Sequence, residues 1–118
     1  MWERHNVSGQ QLQTQGRSQE AEVQFRLAIQ EAEKFGPHDA KLAMSLLNLA
    51  NCLRGQGKFA DAEATYKRAI EVKEKGVGPL HNDLVQYFEN YAKMLRAAGR
   101  EAEANKMQSK AQAIFARK

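Results

Sequence analysis

Apolar residues recur along the chain at helical spacing. Leu42, Leu46, Leu49, Ala50 and Leu53 fall at offsets of 4, 7, 8 and 11 residues, and Leu84, Phe88, Tyr91, Ala92 and Leu95 repeat those offsets one period later. Such offsets draw one stripe along a helix. A second kind of stripe, smaller in volume, is carried by Ala62, Tyr66, Ala69 and Ile70 within a helix expected from about Lys58 to Glu74. Ala21, Phe25, Ala28 and Ile29 form its counterpart in a helix that runs from Ser18 to near Phe35. Residues 2–15 hold a weaker pattern, with Trp2, Val7 and Leu12 as its apolar points. A last helix, about Glu101 to Ala116, keeps Ala104, Ala111 and Ile114 but has Gln108 where the earlier ones have Phe25 and Tyr66. No stretch alternates apolar and polar residues in Val/Ile/Thr-rich surroundings, so no strand is expected. The pattern predicts an all-α chain of six helices.

Three segments align with one another: GRSQEAEVQFRLAI from Gly16, GKFADAEATYKRAI from Gly57 and GREAEANKMQSKAQ from Gly99, with glycines separated by 41 and 42 residues. Self-similarity at that period marks stacked helical hairpins, each of which covers its neighbour's apolar face. Gly16, Gly57 and Gly99 are expected to close the tight turn inside each hairpin with positive φ. Ser18 and Asp39 are candidate caps for the second and third helices. Gly36-Pro37 should end the second helix and Gly76-Val77-Gly78-Pro79 the fourth. The recurring alanines let helix axes approach, and Phe25 and Tyr66 fill the wedge between hairpins. Nothing packs on a last hairpin's outer face, so Gln108 is tolerated there.

These residues resemble the tetratricopeptide repeat. The middle hairpin carries the family's large and small alternation as Leu46, Leu49, Ala50, Leu53, Gly57, Phe59, Ala62, Tyr66 and Ala69. The third carries it as Phe88, Tyr91, Ala92, Leu95, Gly99, Ala104 and Ala111, and the first as Gly9, Leu12, Gly16, Ala21, Phe25 and Ala28. Asn48-Leu49-Ala50, Gln56-Gly57-Lys58, and Gly78 with His81 are similar to the longer subtype found in kinesin light chains. The chain departs from it in three places: Asn82 follows His81 where proline is usual, the first link is one residue shorter, and His5 and Ser8 stand at usually large apolar positions. The resemblance implies a right-handed superhelix of helical hairpins (an α-solenoid), one domain over 1–118 with repeats at about 2–36, 38–76 and 81–116. Its first helices would line a concave groove that binds peptide segments of partner proteins, as an adaptor or scaffold.

Composition narrows the class of protein. Hydrophobic residues make up 42% of 118, enough for an ordered core. Cys52 is alone, which points to a reducing compartment and reads as a packed side chain, like Met94 one period later. No apolar run is long enough for a membrane span and the start lacks a secretory leader's pattern, so a cytoplasmic location is expected. The formal charge of +4 is uneven: residues 1–92 hold 11 Lys+Arg against 12 Asp+Glu, while 93–118 hold seven basic residues against Glu101 and Glu103. A solvated last helix accounts for that better than nucleic-acid binding, because the basic residues are not interleaved with exposed aromatics. A homodimer through the C-terminal helix, with Ile114 and Phe115 as an open apolar edge, is the alternative to a monomeric adaptor.

The candidate binding side is the face of each first helix that the apolar stripe leaves free. It offers Gln10 and Gln13, with Asn6 nearby, in the first helix, Met44, Asn48, Asn51 and Arg54 in the third, and Gln86, Asn90 and Lys93 in the fifth. Carboxamides both donate and accept, so such a row can hold the main chain of an extended peptide. Asn48 and Asn90 occupy equivalent places in successive repeats. A clamp for a C-terminal carboxylate is disfavoured, since the positions that need Lys and Arg hold Gln86 and Asn90. No catalytic residue, metal site or cofactor is expected: His5, His38 and His81 lie far apart in the repeat frame with no second ligand recurring beside them. Gly76 to Pro79 lacks the residues of a phosphate loop. The charged runs Lys67-Arg68 and Glu71 to Lys75 are assigned to a solvated convex face.

Overall fold

Each sequence stripe folds as one helix in the computed structural model, which describes residues 1–116, Phe115 as backbone alone. The elements are α1 (Trp2–Thr14), α2 (Ser18–Glu33), α3 (Ala40–Gly55), α4 (Phe59–Val77), α5 (Leu84–Ala97) and α6 (Glu101–Ala116). They pack as three hairpins, α1/α2, α3/α4 and α5/α6, and α3 also touches α2, α1 and α5. The result is a three-repeat α-solenoid. Among the described residues there is no strand.

The hairpin turns are closed the same way three times. Gly16, Gly57 and Gly99 have φ of 77°, 77° and 80°. The next residue's N–H reaches back five positions, from Arg17 to Leu12 (2.9 Å), Lys58 to Leu53 (3.0 Å) and Arg100 to Leu95 (2.8 Å). That is a Schellman closure, which satisfies carbonyls the helix end leaves free. The carbonyl of the same residue then accepts from Ala21, Ala62 or Ala104 and starts the second helix. Arg17 is therefore the N-cap of α2, and Ser18 is its first helical residue; the expected Ser18 side-chain cap does not form. Asp39 does cap α3, accepting from the Lys41 N–H at 2.8 Å.

The core follows the stripes. Phe25, Tyr66, Ala21, Ala28, Ala62, Ala69 and Ala104 are fully buried, as are Cys52 and Met94. Two glycines have packing roles. A Cβ on Gly9 would lie 2.5 Å from the Phe25 ring, so α1 presses its backbone onto that ring. With His5 and Ser8 in place of large apolar residues, α1 meets α2 through this close approach and through a 3.0 Å hydrogen bond between His5 Nδ1 and Gln24 Oε1. Val7, expected to point inward, is instead about half exposed, and Asn6 and Gly9 are the buried residues of α1. Gly76 does not end α4: the helix runs on to Val77 and stops at Gly78, φ 95°. A Cβ on Gly76 would meet the His38 carbonyl at 2.7 Å, so the tail of α4 is held against the preceding link. Ile114 is buried in the core rather than displayed at an edge, and the Phe115 side chain lies outside the described residues.

Candidate functional site

The first helices of the hairpins stand side by side and share a recess of about 620 Å³. Gln10 from α1, Met44 and Asn48 from α3, and Gln86 from α5 line it, so four of the expected residues, from three repeats, meet in one place. Met44 is exposed at its rim. Gln13 and Lys93 lie outside the recess.

The equivalent asparagines differ in their partners. Asn48 Nδ2 donates to Oδ1 of buried Asn6 at 2.9 Å, tying α3 to α1. Asn90 Nδ2 donates to its own helix, at the Gln86 carbonyl, 2.8 Å away. The cause lies one helix back. With a 41-residue step between the first two hairpins, the place of Asn6 is taken one repeat later by Leu47, which offers no acceptor equivalent to the Asn6 carboxamide. Arg54 Nη1 donates to the Asn90 carbonyl (3.3 Å) and ties α3 to α5.

Asn51 is a correction. Its Oδ1 accepts from the hydroxyl of Tyr66, so the side chain serves the interior of the α3/α4 hairpin and not the recess. Tyr66 is fully buried, and a buried phenol needs a partner. Burial pushes the Tyr66 hydroxyl up to about 12, so it stays a donor even in moderately alkaline solution.

The recess has further members that sequence patterning assigns elsewhere. Leu47, Val85 and Tyr87, all buried, make its apolar floor, and Asn82, Asp83, Glu89 and Lys73 add polar groups. Lys73 belongs to the run read as convex face. Its side chain is only 11% exposed and its Nζ lies 3.4 Å from Asp83, on the link that leads into α5. The link itself gave one usable sign: Asp83 and His81 stand at the start of α5, and His81 Nδ1 accepts from the Asp83 N–H at 3.1 Å.

Outside the recess, a carboxylate in each of α2 and α4 grips the following hairpin. Glu22 accepts from Gln56 (3.0 Å) and Lys58 (3.2 Å), and Glu63, its equivalent, accepts from Tyr91 (2.9 Å) and Arg100 (2.7 Å). Burial would raise Glu22, but its hydrogen bonds outweigh it and hold the carboxyl below its ordinary value. Glu63 is lowered mainly by the hydrogen bond from Arg100. Two of the seven basic residues at the chain's end are also committed. Arg96 binds Glu101 (3.0 Å), Asn105 (3.1 Å) and Gln108, and Arg100 spans Glu63 and Glu103. Among the described residues no group of three or more His, Cys, Asp or Glu is placed to hold a metal ion. None of their helices is long and apolar enough to cross a membrane.

The family model described as tetratricopeptide repeat matches residues 4–75, more than half of the chain. The chain belongs to the tetratricopeptide repeat family. Its fold is similar to the crystal structure of BtubC (BKLC) from P. vanneervenii, with a TM-score of 0.85 at 21% identity. The match covers 95% of this chain and 45% of that one, so the chain spans under half the length of BtubC. No curated protein sequence matches it. The period of 41 and 42 residues and the family model agree on the tetratricopeptide repeat. Tetratricopeptide arrays serve generally as protein-interaction modules, typically without catalysis.

Proposed function

We propose that this tetratricopeptide chain is a non-enzymatic, cytoplasmic adaptor, one domain of three repeats, that holds an extended segment of a partner protein across α1, α3 and α5. The observation that carries the reading is the convergence of Gln10, Met44, Asn48 and Gln86 on one recess with an apolar floor. Carboxamides at its rim offer donors and acceptors to a peptide main chain, and the floor offers a place for a side chain. Asn90 and Arg54, joined through the Asn90 carbonyl, extend the same face toward the turn ends. Asn48 is a poor residue to mutate as a test, since losing it would strand the buried Asn6.

Met44→Ala with Gln86→Ala removes two rim contacts, and the one side-chain hydrogen bond it touches among the described residues is the long one that Met44 Sδ accepts from Asn6 Nδ2, at 4.0 Å. Affinity capture from a lysate, followed by titration of the captured partner, should show binding weakened by about 1–3 kcal/mol. Lys67→Ala with Arg68→Ala, on the second helix, is the control and should bind as the parent does. A partner lost equally from both variants, or from neither, would place the contact elsewhere.

A further inference from the structure

The charges around the recess distinguish its walls from the rest of the molecule. The chain carries +4 overall, yet the recess is lined by two carboxylates, Asp83 and Glu89, and one cation, Lys73. Lys73 is already committed: its ammonium is largely withdrawn from solvent and lies 3.4 Å from Asp83. Glu89 is exposed and has no ion-pair partner among the described residues. One carboxylate is therefore left over beside an apolar floor. Lys93, one turn further along α5, lies outside the recess.

Resting on the groove reading above, we infer that the recess takes a peptide segment in which an aliphatic side chain is flanked by a lysine or arginine. The aliphatic group would enter over Leu47 and Val85, with exposed Met44 folding against it; a thioether chain adapts to several shapes. The neighbouring cation would meet Glu89, and an arginine there can make a two-point contact with the carboxylate. An acidic segment fares worse. It would face Glu89 directly, and it could reach Lys73 only by displacing Asp83.

The test pans a random peptide display library on the full chain. Selected peptides are then synthesised and titrated by fluorescence anisotropy at low and high salt. The variants are Glu89→Lys, Met44→Ala with Gln86→Ala, and Lys67→Ala with Arg68→Ala, each checked for helicity. The expected result is enrichment of Lys or Arg within two positions of Leu, Ile, Val or Met. Glu89→Lys should weaken binding about tenfold, with the loss shrinking as salt rises. Neutral or acidic peptides that lose affinity in the Met44/Gln86 variant, but bind Glu89→Lys as well as or better than the parent, overturn the charge assignment and leave the groove reading standing. A library that yields no binder, or binders indifferent to both recess variants, overturns both.

Discussion

The two seams between hairpins use one backbone frame and different chemistry. At the first, α1 and α2 meet α3 through polar handshakes: Trp2 Nε1 donates to Ser45 (2.6 Å), Asn48 to Asn6 (2.9 Å) and Cys52 Sγ to the Ser18 carbonyl (3.2 Å). At the second, Tyr66 stacks on Tyr91 with ring centroids 5.7 Å apart, and Tyr87, Phe88 and Met94 are buried beside them. Shared features mark what the frame demands. A carboxylate on the second helix, Glu22 or Glu63, grips the basic residue after the next turn's glycine, Lys58 or Arg100. Whatever differs is what each seam needed to fill the space its own residues left. The first seam is held by paired donors and acceptors, the second by ring packing, so the two should respond differently to the same kind of substitution.

The largest effects should come from removing the wedge residues. Phe25→Ala and Tyr66→Ala should each cost about 3–5 kcal/mol, as truncation of buried aromatics does. Native-state hydrogen exchange separates them. In an array of nearest-neighbour contacts, Phe25→Ala should strip protection from α1 and α2 and spare α5, whereas Tyr66→Ala should expose α3 to α6. Equal loss along the whole chain in both variants would mean that the seams do not act as separate units.

Next in size is Gly9→Ala, which drives a methyl into the Phe25 ring and should cost about 1–3 kcal/mol in urea unfolding despite Ala's better helix propensity. Gly55→Ala is the matched comparison, since a Cβ there meets nothing within 4 Å. It should be neutral or gain up to about 1 kcal/mol. A smaller contrast separates the asparagines. Asn6→Ala should cost about 1–2 kcal/mol by leaving the Asn48 amide without its acceptor. Asn90→Ala should change stability little, because its amide bonds only to its own helix.

The smallest effect is on pH dependence. Glu22 and Glu63 are held below the ordinary 4.5 in the folded chain, so on acidification the unfolded chain takes up those protons first. Their contribution is complete above that value and is lost as pH falls through the lower folded values. Glu63→Gln should flatten the acid limb of a stability-versus-pH curve while lowering neutral stability by no more than about 1 kcal/mol. An acid limb as steep as the parent's would assign the dependence to the other lowered carboxyls, Glu22 and Glu103.

The frame was legible because its signals are local. Leu42 to Leu53 and Leu84 to Leu95 state the helical period, and Gly57 states the turn. The recess was legible only in part, because helix rotation is not local. Asn48 and Asn51 are three residues apart, about 60° around the helix, and a turn of that size decides whether a side chain meets a ligand or Tyr66. Lys73 was misplaced for a different reason. It lies within the expected helix, but its long side chain reaches across to Asp83 on the next link, and that partner is set by tertiary packing and not by the local charge run. Asn6 shows the same limit, since its role comes from the Asn48 amide it meets across α1 and α3, 42 residues away in sequence.

Trp2 is the chain's sole tryptophan, and it sits on the polar seam, its indole bonded to Ser45 and the Lys41 ammonium 5.4 Å from its ring. The molecule thus carries its own optical reporter at the first junction. When α1 lifts, the indole exchanges a hydroxyl and a cation for water, and its emission should move without any change in the tyrosine stack at the second seam. Intrinsic fluorescence then reads one junction, circular dichroism reads all six helices, and a gap between the two melting curves measures how far one end of the array can come loose by itself.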